Sequence, residues 1–449
     1  MKQNNLNNPF DKHSTATVDA LVFVLASVLK YAKDVRMYEK IGKSLIKKYK
    51  NATFHFVGNM SIKSTNNKEN ESENISENTH LNIHFYELFN FNRIAFRRVF
   101  TFFTFFFFLL KTKPNAIIIG TFELLLPAAF YKIICLIFLR KKVKIIYDIQ
   151  ENYCANIKYT KVFPFMFRWI IAFYVGFVEK ISSFLVDFFF LAENCYEQEL
   201  TFIGKKYTVL PNFILRENYT EIEKLTEKST KKSVSNSIEK TTNLLFLGTI
   251  SKEYGLYKIL SYFVDYQTNN QQENQKENQK ENQKENQKIK LSILGHCPLK
   301  ADFLEIEKIS KENPFINAQI SQKPIPYTQI KEKMKTAMQE NTFVVMPYII
   351  NKSYEKRIPT KFYECLAYNL PMIIQKNKYW EDFFGQMQKL IPMQKINVFF
   401  IDFDDKKHLE EHLKIILKTP FQNNENTFSV AELPIFWDIC EKKLNEINF

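Results

Sequence analysis

Apolar residues along this chain cluster in short runs separated by segments where they recur at helical spacing. Leu21–Ala26, Thr53–Val57, His84–Tyr86, Ala116–Ile119 after Pro114, Val143–Tyr147, Val186–Leu191 and Thr208–Leu210 read as strands. Between them, Lys40–Lys50 places Ile41, Leu45 and Ile46 on one helical face, and Leu125–Leu139 reads as a strongly apolar helix. The pattern restarts with strands at Leu244–Leu247, Lys290–Leu294, Asn317–Ile320, Thr342–Met346, Met372–Ile374 and Ile396–Ile401. Helices are predicted near Tyr254–Tyr266, over 328–338 and 360–368, and at Trp437–Ile447. Strands alternating with helices predict an α/β protein with parallel sheets. The restart predicts two Rossmann-like domains facing across a cleft, with ligands beyond the carboxyl ends of the strands.

Polar stretches punctuate that pattern. Residues 1–18 read as a disordered tail, and 59–80, rich in Asn, Ser, Glu and Lys, as a solvated insertion. A first domain then spans 19–215, a linker 216–242, a second domain 243–428 and a C-terminal helical segment 429–449. Within the second domain, 267–289 is a low-complexity insertion that holds four tandem Glu-Asn-Gln-Lys units with no apolar face.

Charge and cysteine content narrow the function classes. The chain carries 62 Lys and Arg against 48 Asp and Glu, a net charge of +14 that favours an anionic partner. No helix concentrates those cations with base-stacking aromatics, which argues against nucleic acid. The six cysteines are scattered without a Cys-x-x-Cys pair, so neither a zinc ribbon nor a disulfide framework is indicated and a reducing, cytoplasmic compartment fits. The seven histidines show no metal spacing, and neither a Ser-His-Asp elbow nor a Walker loop is present. Asp148 and Glu151 read either as a carboxylate pair at a strand end or as strand-capping residues.

One segment carries most of the candidate chemistry: Arg357-Ile358-Pro359-Thr360-Lys361-Phe362-Tyr363-Glu364, continuing to Pro371-Met372-Ile373-Ile374. It reads as loop, helix and buried strand. A helix start with Thr360 and Lys361 offers N–H groups and positive charge to an anion. Glu364, one turn inward on the same side, reaches a ribose placed behind that anion. The plainer reading is an ordinary helix-to-strand unit with a surface Lys and Glu.

The segment resembles the donor-site motif of retaining glycosyltransferases of family 4, Pro-x-Lys-x-x-Glu-x-x-Ala followed by a Pro-led strand. Other stretches resemble the same family in the same order across residues 20–405: Asp34-Val35-Arg36, Tyr147-Asp148-Ile149-Gln150-Glu151, Glu179 with Asp187, Leu210-Pro211-Asn212, Leu247-Gly248, Leu294-Gly295 and Met346-Pro347-Tyr348. The resemblance implies a GT-B fold and a donor that is a nucleoside diphosphate sugar. On that basis Gly248 and Lys361, with Lys252 or Arg357, are expected to hold the diphosphate, beside Thr249 and Thr360; Glu364 holds the ribose, and Gln150 and Glu151 face the sugar or acceptor. Such an enzyme needs no metal or other cofactor, because cations and a helix start neutralise the leaving group.

Departures from the family's pattern bear on activity. Its Arg after the strand-end Gly and its Lys five residues on are here Thr249 and Tyr254, with Lys252 between them. The first of its paired glutamates falls on Lys356; either Glu355 serves after a one-residue loop shift, or Lys356 and Arg357 grip the phosphates instead. Gln150 stands where a His often contacts the donor sugar. The expectation is therefore a hexosyltransferase-type enzyme of polysaccharide biosynthesis acting on a saccharide or lipid-linked acceptor. The alternative is a non-catalytic, membrane-associated scaffold of a saccharide assembly complex.

Residues 99–110 form a charge-free, Phe-rich run too short for a bilayer span. Residues 81–210 around it carry sixteen Lys and Arg against nine Asp and Glu. An interfacial helix on anionic lipid is the favoured reading, ahead of a buried helix under the acceptor face or a membrane-spanning segment. Phe163–Phe177 is a second apolar stretch that lines a cleft or touches membrane. The expected location is cytoplasmic, peripheral on the inner membrane face.

Overall fold

The computed structural model describes residues 21–59, 82–89, 98, 100–159, 163–217, 242–265, 289–392, 395–418 and 433–449. The expected tail 1–18, most of the polar insertion 59–80, nearly all of the linker 216–242 and nearly all of the low-complexity insertion 267–289 lie outside these residues.

Two sheets carry the fold. The first has seven strands in the order β3-β2-β1-β4-β5-β6-β7: β1 Val22–Tyr31, β2 Thr53–Asn59, β3 Ile83–Phe89, β4 Ala116–Ile119, β5 Lys144–Ile149, β6 Phe188–Leu191 and β7 Tyr207–Val209. The second has six in the order β10-β9-β8-β11-β12-β13: β8 Thr242–Thr249, β9 Ile289–His296, β10 Ile316–Ser321, β11 Thr342–Met346, β12 Met372–Gln375 and β13 Val398–Ile401. Every pairing in the second sheet is parallel, as are those joining β3, β2, β1, β4 and β5 in the first. By contacts the chain divides into two compact units. One takes Met1–Asp148, Ile181–Phe189 and Ile447–Phe449; the other takes Ile149–Lys180 and Phe190–Glu446.

In the first unit, β1 runs to Tyr31, five residues past the apolar run that predicts it, because Ser27 and Val28 are also buried. Gly58 of β2 makes that possible: a Cβ there would lie 2.3 Å from the Ala32 nitrogen. The helix expected at Lys40–Lys50 begins earlier, as a π-helical stretch Val35–Gly42, and continues as α1, Lys43–Lys48. Asp34 caps it, accepting from the N–H groups of Arg36 (3.0 Å) and Met37 (3.2 Å). The Arg36 guanidinium then reaches the fully buried Asp148, with Nη2 2.6 Å and Nε 2.9 Å from its carboxylate oxygens. Asp148 is thus a structural partner of Arg36 at the end of β5. Helices α2, Thr101–Thr112, and α3, Leu125–Phe138, pack together in this unit.

In the second unit, α4 is Tyr153–Tyr159, α5 Phe165–Ser182 and α6 Tyr196–Glu199; helix α7 covers 256–265. They are followed by α8 Lys300–Glu312, α9 Tyr327–Gln339, α10 Thr360–Ala367, α11 Lys378–Leu390, α12 Lys406–Lys418 and α13 Asp438–Glu446. The sheet is buried on both faces, as parallel sheets require. Leu245 and Leu247 of β8 join the core that holds Phe362, Leu366 and Trp380. The alternate residues Leu244 and Phe246 join Ile259, Phe263 and Leu413 on the other side. The strand order reverses between β8 and β11. Connections leaving β8 and β11 diverge there and open a crevice at the strands' carboxyl ends.

No helix among the described residues is long and apolar enough to cross a membrane. The expected interfacial segment is half sunk in the first unit: Phe105, Phe108 and Leu109 are buried, whereas Phe100, Phe103 and Phe107 face outward.

Candidate functional site

A cavity of 410 Å³ opens at that reversal point, within the second unit. Its walls come from the ends of β8 and β9, the loop after β11 and the start of α10. Gly248 and Gly295 are register partners on the two strands, and a Cβ on Gly295 would strike the Gly248 carbonyl at 2.4 Å. Gly248 itself holds φ +127°, a conformation that L side chains rarely adopt. The space beside its Cα opens toward Lys361, whose Cε would stand 3.9 Å from an added Cβ.

Helix α10 begins at Thr360 after Pro359, which offers no side-chain cap. The N–H groups of Thr360 and Lys361 therefore have no capping acceptor and form the positive end of the helix dipole, while the Phe362 N–H donates to the Pro359 carbonyl at 2.9 Å. Lys361 Nζ donates to Glu364 Oε2 at 2.5 Å, one turn apart on the same face. Glu364 is 5% exposed and also receives the Tyr327 hydroxyl, from the start of α9. Burial, followed by the Glu364 charge, pushes Tyr327 well above its usual range, so it stays a neutral donor. Burial does the same at Tyr348 and Tyr354, which pack with Tyr254 at centroid distances of 5.4–6.3 Å. This tyrosine trio is part of the cavity wall and covers the position where the family pattern calls for a Lys.

Of the expected donor residues, Gly248, Thr249, Thr360, Lys361 and Glu364 line the cavity together. Lys252, Arg357 and Glu355 do not. Lys252 is exposed on a short 3-10 turn. Arg357 lies with its guanidinium 5.6 Å from the Tyr196 ring, and its Nε and Nη2 are buried with no hydrogen-bond partner among the described residues. Glu355 is exposed, and its carbonyl accepts from Asn377 Nδ2. Gln150 and Glu151 also lie outside the cavity lining. The Gln150 carbonyl accepts from the Tyr196 hydroxyl, and Glu151 Oε2 accepts from Asn156 Nδ2 at 2.8 Å.

One Asp-x-Asp occurs in the sequence, Asp402-Phe403-Asp404. Asp402 accepts from Gln375 Nε2 and from the Asp404 N–H, and Asp404 pairs with Lys258 at 2.6 Å. Both are engaged after β13 and neither lines the cavity. Among the described residues no group of three or more His, Cys, Asp and Glu is placed to hold a metal ion.

Sequence reasoning did not assign roles to Tyr327, Tyr348 and Tyr354. Tyr327 carried a faint signal, since it follows Pro324-Ile325-Pro326, a run that stiffens entry into α9. The other two are recognisable only once the loop after β11 is folded back on Tyr254.

No protein-family model matches the sequence, and no curated protein does. Solved structures match along nearly the whole chain. Sucrose-phosphate synthase from Thermosynechococcus elongatus superposes with a TM-score of 0.55 at 11% identity over 95% of this chain and 94% of its own. The catalytic domain of starch synthase IV from Arabidopsis thaliana, solved with ADP and acarbose, gives 0.55 at 12% identity over 95% and 98%. WaaG, a glycosyltransferase involved in lipopolysaccharide biosynthesis, gives 0.53 at 9% identity over 95% and 96%. These likenesses establish the fold: the chain has the GT-B fold.

Proposed function

We propose that the protein is a retaining glycosyltransferase that moves a sugar from a nucleoside diphosphate donor to a hydroxyl of a saccharide or lipid-linked acceptor. One observation carries this reading. The positive-φ Gly248, the uncapped start of α10 and the Lys361–Glu364 pair converge on one cavity at the point where the strand order reverses.

In this reading the diphosphate lies between the Gly248 backbone and the start of α10. Lys361 has three N–H donors and uses one on Glu364, so the others serve phosphate oxygens. Glu364, fixed by Lys361 and Tyr327, accepts from the ribose hydroxyls. In the reaction the bond from the sugar's anomeric carbon to the diphosphate oxygen breaks, and a bond to the acceptor oxygen forms on the same face. The acceptor proton passes to the departing diphosphate. The negative charge that grows on that leaving group meets Lys361 and the helix start, so no metal is required for its stabilisation. Thr249 takes the place of a family Arg, leaving Lys361 as the cation at the cavity wall. The six unpaired cysteines support a reducing, cytoplasmic setting.

Calorimetric titration with a panel of nucleoside diphosphate sugars tests this directly. Saturable binding of at least one member is expected, weakened about 10–100-fold in Glu364→Ala through loss of charged hydrogen bonds to the ribose. Silence of the folded wild-type protein across the panel contradicts the transferase reading.

A further inference from the structure

We propose that the carboxyl-terminal ends of α2 and α3 dock the protein onto an anionic lipid bilayer. This adds a partner surface on the first unit and does not depend on the donor cavity.

The residues at the end of α3 are apolar and turned outward. Leu136 and Ile137 are each 62% exposed and Phe138 is 75% exposed; Leu139 follows. Immediately after them come Arg140, Lys141 and Lys142. The end of α2 lies alongside, because Lys141 Nζ donates to the Lys113 carbonyl at 2.7 Å, and it adds Lys111, Lys113 and the 63%-exposed Phe107. Aromatic contacts of Phe102 and Phe106 with Phe130 hold the two helices side by side.

None of the five cations has an acidic partner among the described residues. From Thr101 to Lys142 the sequence holds one acid, Glu123, and it pairs with Arg98. An apolar tip ringed by unpaired cations fits the interface of an anionic bilayer, where aliphatic and aromatic side chains enter the acyl boundary and Lys and Arg meet phosphates. A protein partner that covered the same tip would have to supply a matching acidic rim. A water-facing surface has no physical reason to expose four consecutive large apolar residues. The outward apolar face of α5, which includes Trp169, Ile170 and Phe173, has fewer cations beside it, so its attraction to lipid would depend little on headgroup charge.

Flotation of the full chain tests the assignment, using vesicles of phosphatidylcholine alone and of phosphatidylcholine with phosphatidylglycerol in equal parts. The wild type is expected to float with the anionic vesicles only, and to be released by high salt. The Arg140→Gln/Lys141→Gln/Lys142→Gln variant is expected to lose roughly 100-fold in partitioning, at about five-fold per cation. Ile137→Ser/Phe138→Ser is expected to lose flotation too. Ile137, Phe138, Arg140 and Lys142 are exposed and Lys141 is half-buried with a single bond to the Lys113 carbonyl, so near-unchanged thermal unfolding should accompany both losses. Four outcomes overturn the proposal: no flotation of the wild type, equal flotation with neutral vesicles, retained flotation of both variants, or concentration-dependent self-association that the Ile137→Ser/Phe138→Ser change abolishes. Because the readout is lipid binding, failure here leaves the donor-cavity reading standing, and silence in the nucleotide titration leaves this one standing.

Discussion

Lys361→Met is expected to lower kcat/KM for sugar transfer by about 10²–10³-fold, the scale of removing one preorganised donor from a developing negative charge. Methionine keeps the aliphatic stem, so packing against the wall beside Gly248 survives while the cation goes. The loss should fall mainly on kcat, because the charge Lys361 meets is larger in the transition state than in the bound donor. The substitution leaves Glu364 buried with Tyr327 as its remaining partner, at a stability cost of about 1–3 kcal/mol. Thermal unfolding alongside release of the nucleoside diphosphate separates the two effects. A variant that is folded at assay temperature and within about three-fold of wild type in kcat/KM would remove Lys361 from the mechanism.

The second large effect is on stability. Arg36→Met is expected to destabilise the protein by about 3–5 kcal/mol, since it strands the Asp148 carboxylate, 0% exposed, without its cation. The paired change Arg36→Met/Asp148→Leu should recover most of that loss, because exchanging a buried ion pair for apolar residues of similar volume is often neutral or favourable. Denaturant unfolding of the two single variants and the double variant closes the cycle. A double variant as unstable as the worse single one would mean that the pair is held for something other than mutual charge compensation.

Some of the fold can be read from the chain with little loss. Ala116–Ile119 and Thr342–Met346 are strands whose bounds match the sequence reading, because each is buried on both faces and so is apolar but for Thr342. The helices at 300–312, 378–390 and 406–418 are a different case. Each is anchored by few core side chains: Ile306 in the first, Trp380 and Phe384 in the second, Leu409 and Leu413 in the third. The second and third are nonetheless amphipathic, with Tyr379, Phe383 and Met387 packed beside the two anchors of the second, so their period is legible in the sequence. The cap that marks the second, Asn377 accepting from the Trp380 N–H, is one residue of an otherwise ordinary loop.

The same contrast holds at the site. Gly248, Thr360, Lys361 and Glu364 sit close along two local motifs, so spacing brings them into view. Tyr254, Tyr327, Tyr348 and Tyr354 meet there only through the tertiary fold. The bond between Arg36 and Asp148 joins residues 112 apart, each recognisable as part of a motif while their pairing is not. Lys252 shows the reverse: its charge suggests a phosphate contact, yet a 3-10 turn ending in Gly255 at φ +71° leaves it outside the cavity lining.

The account turns on the cavity between Gly248 and the start of α10 as the seat of a nucleoside diphosphate. A crystal of the protein soaked with a nucleoside diphosphate chosen from the binding panel measures this most directly. The phosphates should lie within hydrogen-bond distance of Lys361 Nζ and the Gly248 or Thr249 backbone, with the ribose on Glu364. A nucleotide bound elsewhere, or bound here with its phosphates turned away from Lys361, would contradict it.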